Sequence, residues 1–316
     1  MIKGLVEPLN MNQTFSTYVT TWGTATVSQD PLQVINDMIA KNALQTNTRI
    51  ILAFASFNFT SSSYIPGFGN IGMTEVQQIT SLVHSHGGKV SLSIGGATYP
   101  FYGSDMYNRP GDLAANINQI CLTCGFDGVD FDIEDYYGNV PSNFATQAAS
   151  VINTLRSLNA GLYISLTTPA QAWGSGMYQQ SLLNMTIGNI NAWQPMEYDL
   201  WVDPSNTYAQ QIESDIEFYI GTWGVNPAKI VLGLMPGPDD MPRVLSLQDA
   251  LNLTSFATNM KLEGVMTWDA NIDSLGTDGN APYAYCCGIQ SMLNKTRSKR
   301  VYNSVKRPLN KRVKFH

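Results

Sequence analysis

Short runs of apolar or alternating residues recur every 30 to 40 positions along this chain, and between them apolar residues return at every third or fourth position. The first pattern fits a strand and the second an amphipathic helix. Strands are expected at 14–22, 49–56, 89–94, 128–134, 162–168, 192–198, 229–234 and 264–268. Helical spacing is clear at 32–44, 74–84, 141–158, 208–220 and 247–260, and several of these segments open on Asp, Thr or Ser and close near Gly or Asn. Eight strand-then-helix units predict an α/β fold, a closed (β/α)8 TIM barrel whose parallel strands are covered by helices. An open doubly wound sheet is the rival, but it would carry a glycine-rich phosphate turn after its first strand, and Trp22-Gly23-Thr24 offers none. No interval has room for a second domain, since 235–262 holds only a loop and a helix. The expectation is a single-domain barrel over residues 1–293 with no large insertion, followed by a basic, polar and flexible tail at 294–316.

Charge sharpens the boundary of that tail. The net charge of −6 hides nine of the 18 Lys and Arg between Lys295 and Lys314, where no Asp or Glu occurs. The remainder carries nine basic against 24 acidic residues, so the body stands at −15 and the tail at +9. An acidic body argues against nucleic-acid binding by the barrel. The tail reads as a solvated end or as an address for an anionic partner that the sequence does not name. A hydrophobic content of 44% supports a sizeable core. No apolar run reaches the roughly 18 residues of a membrane span, and 1–13 lacks the charged and apolar regions of a secretory signal. Cys121, Cys124, Cys286 and Cys287 are too sparse for a disulfide-built fold and poorly spaced for zinc, so they read as structural thiols. Only His84, His86 and His316 could supply imidazole, and neither a metal nor a cofactor is expected. A monomer is expected.

The chemistry lies at 127–134, where the chain reads Asp127-Gly128-Val129-Asp130-Phe131-Asp132-Ile133-Glu134. Side chains on a strand alternate between its two faces. Asp130, Asp132 and Glu134 therefore share one face, and Val129, Phe131 and Ile133 the other. The outer face of a barrel strand packs on helices, so the carboxylates point inward, towards the C-terminal rim where barrel enzymes place their active sites. Three carboxylates in an interior repel one another and lose hydration, so at least one pKa must rise or a proton must be shared. A carboxylic acid kept protonated beside ionised partners is what protonation of a leaving glycosidic oxygen requires near neutral pH. A solvated edge strand, or a cation site built from Asp and Glu, is the alternative for the same pattern.

The segment resembles the D-G-x-D-x-D-x-E signature of family 18 glycoside hydrolases, the chitinases and their relatives. Three further segments carry the resemblance. Ser91-Leu92-Ser93-Ile94-Gly95-Gly96 is similar to the family's S-x-G-G, and Met196-Glu197-Tyr198-Asp199 to its M-x-Y-D. Gly264-Val265-Met266-Thr267-Trp268 is similar to the segment whose tryptophan forms the sugar-binding floor. The resemblance covers roughly 14–293 and implies a retaining hydrolysis in which the sugar's own 2-acetamido oxygen attacks the anomeric carbon, with no enzyme nucleophile. It assigns Glu134 as general acid and then general base, and Asp132 as the group that orients the acetamido nitrogen and stabilises its developing charge. Asp130 is implied to share a proton or hydrogen bond with Asp132, and Tyr198 to donate to the acetamido carbonyl. Asp199 is implied to contact the sugar and tune the acid, Trp268 to stack on a pyranose face, and Tyr18 and Ser93 to hydrogen-bond towards Asp130. Met196 and Phe54 join the expected substrate-binding set, with Trp22, Trp173 and Trp201 as further aromatic candidates.

The implied substrate is chitin or another N-acetylglucosamine-containing oligosaccharide, and the implied enzyme an endo-acting chitinase that cleaves β-1,4 linkages. An endo-β-N-acetylglucosaminidase acting on N-glycan cores shares the motif and mechanism, and a chitin-binding lectin would keep the barrel without catalysis. Inactive relatives usually replace the terminal Glu of the motif, which is present here as Glu134. Three segments depart from the family pattern. Asp135-Tyr136-Tyr137-Gly138 replaces an aromatic-Pro turn, and Thr167-Thr168-Pro169-Ala170-Gln171 matches a Thr and Pro run only loosely. The short interval 235–262 lacks the small inserted domain of many processive relatives, which favours an open groove. Chitin lies outside most cells, yet no secretory signal is visible.

Overall fold

Residues apolar on both faces make strands that must be covered on both sides, and the chain meets that demand by closing its sheet into a ring under a belt of helices. The computed structural model describes residues 13–22, 30–60, 63–97, 109–135, 140–170 and 178–305, with the side chains of 56–67 and 296–305 outside the description. The strands are β1 (Thr14–Thr20), β2 (Thr48–Thr60), β3 (Ser63–Gly67), β4 (Lys89–Gly95), β5 (Gly128–Asp132), β6 (Tyr163–Pro169), β7 (Ala192–Met196), β8 (Val231–Leu234) and β9 (Gly264–Thr267). Their order is β1-β9-β8-β7-β6-β5-β4-β2-β3, and β1 also pairs with β2, which closes the ring. Every pair around the ring is parallel. The expected single-domain (β/α)8 barrel is the observed fold.

Helices α1 (Pro31–Ala40), α2 (Met73–Ser85), α3 (Pro110–Cys124), α4 (Phe144–Leu158), α5 (Gln179–Thr186), α6 (Tyr208–Gly221), α7 (Leu247–Asn259), the short α8 (Ala270–Asp273) and α9 (Ala284–Val305) follow the strands. Local chemistry sets their ends. Asp30 caps α1 by accepting from the amides of Leu32 and Gln33, ahead of Pro31, and Thr207 and Gln210 form a reciprocal capping box on α6. Such caps contribute about 1 kcal/mol each. Gly125, at φ 77°, ends α3 in the left-handed conformation.

Outward strand residues such as Leu52, Leu92, Phe131 and Leu166 are buried beneath the helices and form the main core. A second, smaller cluster fills the barrel itself with Tyr18, Ile51, Ala53, Phe54, Ala192, Val231 and Met266. At the N-terminal end Asp127 points away from the acidic row. It accepts from Lys89 Nζ at 2.9 Å, from the Val90 amide at 2.9 Å and from His84 Nε2 at 2.7 Å, pinning β5 to β4 and α2.

Three differences from the sequence reading have physical causes. Beyond its barrel portion β2 continues into an antiparallel hairpin with β3. β7 leaves its ladder at Met196 and β9 at Thr267, short of the expected 198 and 268. α9 runs past the expected boundary at 294 and remains helical to Val305, because residues 284–305 hold no Pro or late Gly to stop it. Residues 306–316 lie outside the described residues.

Candidate active site

Asp130 sits at the centre of the barrel, wholly buried. Register explains its surroundings, because Ser93 and Ser165 are its direct neighbours on β4 and β6. Its Oδ2 accepts from Tyr18 Oη and Ser93 Oγ, both at 2.7 Å, and its Oδ1 from Ser165 Oγ at 2.7 Å, Thr167 Oγ1 at 2.8 Å and Gln194 Nε2 at 3.1 Å. Burial pushes the Asp130 carboxyl up, and hydrogen bonds from Tyr18, Ser165, Ser93 and Thr167 pull against that rise. Burial also pushes the Tyr18 phenol well above its ordinary value, with Asp130, Asp132 and Tyr198 adding to the rise, so it remains a donor.

Asp132 lies two residues further along the same face and has no comparable support. Its Oδ1 is buried with no hydrogen-bond partner. Burial, then the nearby Glu134 and Asp130, hold its carboxyl well above the usual range. Five donors around Asp130 and an unsupported Asp132 divide the pair, with the charge on Asp130 and a proton on Asp132. Backbone packing keeps that position tight. Gly96 donates its amide to the Asp132 carbonyl at 2.8 Å, and a Cβ on Gly95, at φ 114°, would collide with the same carbonyl. A Cβ on Gly96 would strike the Phe54 ring. Glu134 follows just beyond the end of β5 and is partly exposed at the rim.

An aromatic wall stands on the β1, β2 and β9 side. Phe54 stacks on Trp268, with centroids 5.8 Å apart and planes at 18°, and on Trp22 at 5.5 Å. Tyr18 meets Trp268 edge-on at 5.0 Å. Phe54 is buried, while Trp22 and Trp268 keep part of their surface open. The Ala53–Phe54 and Trp268–Asp269 peptide bonds are cis.

Opposite this wall, the chain leaving β7 turns a corner. Met196 and Tyr198 are buried, at 6% and 7% exposure, whereas Asp199 and Trp201 are exposed. Asp199 takes a left-handed conformation at φ 57°, and its Oδ1 accepts from the Asp240 amide at 2.5 Å. Burial raises the Asp199 carboxyl, the Asp240 amide opposes this, and the charges of Asp240 and Asp239 add to the rise.

Residues 14–236 match the family model described as Glycosyl hydrolases family 18. The chain belongs to this family. No curated protein sequence matches it, but solved structures share its fold. A chitinase from Rhizomucor miehei is 17% identical with a TM-score of 0.65, covering 89% of this chain and 100% of its own. The catalytic domain of a hyperthermophilic chitinase from Pyrococcus furiosus is 18% identical with a TM-score of 0.65, covering 91% and 96%. The group IV chitinase of Ostrinia furnacalis is 15% identical with a TM-score of 0.69, covering 90% and 100%.

In this family 18 barrel the residues singled out from the sequence fall into three groups. Asp130, Asp132 and Glu134 form one row along β5 towards the rim, and Trp268 and Phe54 pack in one wall. Tyr18 and Ser93, expected among substrate-binding residues, are entirely buried with their hydroxyls on Asp130, and support the row from below. Asp199 gives one oxygen to Asp240. Trp173 and the segment 136–138 lie outside the described residues. Ser165, Thr167 and Gln194 were missed, although they occupy inward positions of strands that are otherwise apolar, and that was a readable signal. Among the described residues no group of three or more His, Cys, Asp or Glu is placed to hold a metal. None of the described helices is long and apolar enough to cross a membrane.

Proposed function

We propose that this family 18 hydrolase is an endo-acting chitinase that cleaves β-1,4 linkages after N-acetylglucosamine by a retaining, substrate-assisted route. The observation that carries the reading is the graded row on β5. It runs from a carboxylate fixed by five donors, through Asp132, whose carboxyl is held above the usual range and has a buried oxygen with no donor, to a part-exposed Glu134 at the rim.

In the first step Glu134 gives its proton to the glycosidic oxygen as the bond from that oxygen to the anomeric carbon breaks. The acetamido carbonyl oxygen of the same sugar forms a new bond to the anomeric carbon, giving an oxazolinium ion. Asp132 accepts a hydrogen bond from the acetamido N–H and stabilises the positive charge spreading onto it, while its own proton moves towards Asp130. Tyr198 donates to the acetamido group and orients it. In the second step the Glu134 carboxylate takes a proton from water, whose oxygen attacks the anomeric carbon and releases the acetamido oxygen. Two inversions leave the configuration retained. The Trp268 face supports the pyranose ring where the charge develops. The short loop between β8 and α7 raises no separate wall, which suits cutting within chains.

The test is release of a chromophore from an N-acetylchitooligosaccharide glycoside by the wild type and by Glu134→Gln. Turnover should fall at least about a thousandfold in the variant. A wild type that binds the sugar without turning it over would make the protein a lectin. A wild type active only on a high-mannose glycopeptide would move the substrate to the N-glycan core.

A further inference from the structure

Residues 235–246, between β8 and α7, fold back against the corner that follows β7. The backbone of this loop is closed by a bridge between Pro238 and Val244 and by the Asp239 amide donating to the Arg243 carbonyl at 2.8 Å. At its centre Asp239 is buried, at 6% exposure. Its Oδ1 accepts from the amides of Met241 at 3.0 Å and Arg243 at 2.8 Å, within its own loop. Its Oδ2 reaches outward, accepting from the Asp199 amide at 3.2 Å and the Tyr208 hydroxyl at 2.9 Å. Arg243 Nε lies 3.6 Å from the same oxygen, and Arg243 Nη2 donates to the Leu200 carbonyl. The next residue, Asp240, donates its amide to Asp199 Oδ1.

The corner needs this support. The ladder of β7 ends at Met196, and the last backbone bond of that strand is from the Glu197 amide to the Gly233 carbonyl at 3.1 Å. Beyond it Tyr198 and Asp199 have no strand to fix them, and Asp199 holds a left-handed conformation that costs a non-glycine residue about 1–2 kcal/mol. One carboxylate divides its two oxygens between the loop and the corner, so the position of the loop sets that of the corner.

We infer that Asp239 is a positioning residue of the active site, holding the Tyr198–Asp199 corner in the conformation that the reaction uses by receiving the Asp199 amide. This rests on the proposed hydrolysis, in which Tyr198 and Asp199 address the sugar, and it assigns to a residue outside the four family segments a part in their geometry. Asp239 touches neither sugar nor reacting atoms, so its effect is exerted on the transition state through Tyr198.

Asp239→Asn is the test, because it keeps the shape and loses one acceptor. With its carbonyl turned to Met241 and Arg243, the new amide group faces the Asp199 N–H donor against donor, while the Tyr208 hydroxyl can turn to accept from it. Turnover number and KM would be measured on the chromogenic chitooligosaccharide beside the wild type, Glu134→Gln and Tyr208→Phe, with thermal unfolding of each. The expected result is kcat about 10–100-fold lower in Asp239→Asn, with KM within about threefold, since a misplacement of the order of 1 Å suffices for such a loss. Tyr208→Phe removes a different partner of the same oxygen and should keep kcat within about threefold. The inference is overturned if Asp239→Asn retains kcat, if its loss matches its unfolded fraction, or if Tyr208→Phe loses as much. An inactive wild type would overturn the hydrolase reading and this inference together, whereas an active wild type with a full-speed Asp239→Asn would overturn this one alone.

Discussion

The residue that follows Trp268 shows how much a single buried acid can matter. Asp269 is buried, and its Oδ1 caps α8 by accepting from the Ile272 amide at 2.7 Å. Burial, opposed by the amides of Ile272 and Asn271 and aided by Asp273, pushes its carboxyl up to about 7. An aspartate in the unfolded chain titrates near 3.9. Between those values the folded state keeps a proton that the unfolded chain has released. The stability linked to Asp269 is therefore fully present below about pH 4 and is lost as pH rises through 7, by about 2–4 kcal/mol in all. Asn would keep the cap and carry no charge. Asp269→Asn should thus flatten the fall in urea midpoint between about pH 5 and pH 8, and an unchanged slope would count against this account. The acidic row was legible in the sequence because alternation on a strand needs nothing beyond the strand itself. The Asp239 contacts were not, since its partners are backbone amides of its own loop and groups 31 and 40 positions away, which leave no periodic trace.

Among the elements, the eight barrel strands could be read because each is covered by helices on its outer side, so its sequence is either an apolar run or an alternation of outward apolar and inward polar residues. α3 and α5 were not among the helices named from the sequence. The buried positions of α3 include Ala114, Cys121 and Cys124, whose small or weakly apolar side chains blur the helical stripe, and α5 is only 8 residues long. The hairpin partner β3 lies in a stretch of Ser, Tyr and Pro with no Asn-Gly or Asp-Gly turn to announce it. α9 was not named from the sequence either, which placed there only the end of the barrel and a flexible tail from 294, yet its inner half is a structural fastener. Gln290, at 3% exposure, accepts from Thr48 Oγ1 at 2.5 Å and donates to the carbonyls of Ala43 at 2.7 Å and Cys286 at 3.0 Å. Gln290→Ala leaves two of these groups on the β2 side buried without their partner, at a cost of about 2–3 kcal/mol. Equilibrium unfolding in urea measures that cost, and a loss below about 0.5 kcal/mol would show that the contact is dispensable.

Across the whole molecule, buried acids set the pH response more than the surface does. Burial raises Asp132, Glu197 and Asp269, and at Glu197 the charge of Asp215 adds to the rise while Tyr219 opposes it. Each is a carboxyl whose folded value exceeds its unfolded one, so each contributes stability at low pH that disappears as pH rises. Asp127 acts in the opposite sense. Burial pushes it up, but Lys89, the Val90 amide and His84 outweigh that and hold it below its ordinary value. Its contribution is present above about pH 4 and lost as pH falls further. Together these shifts place the stability maximum on the acid side of neutrality, with a melting temperature about 5–10 °C lower at pH 8 than at pH 5. Thermal unfolding across that range is the check, and a maximum above pH 7 would contradict it.

Closure of the ring has a further consequence, for the chain during its synthesis. β1 must pair with β2 on one side and with β9 on the other, and residues 14 and 264 are partners in that last seam. A ribosome adding about 5–20 residues per second needs roughly 10–50 s to pass from one to the other. For that interval the first strand offers an unsatisfied edge to any other strand nearby. The nascent protein is therefore a natural client for factors that shield such edges, and the time it spends in their care is set by the distance along the chain between its first and last strands.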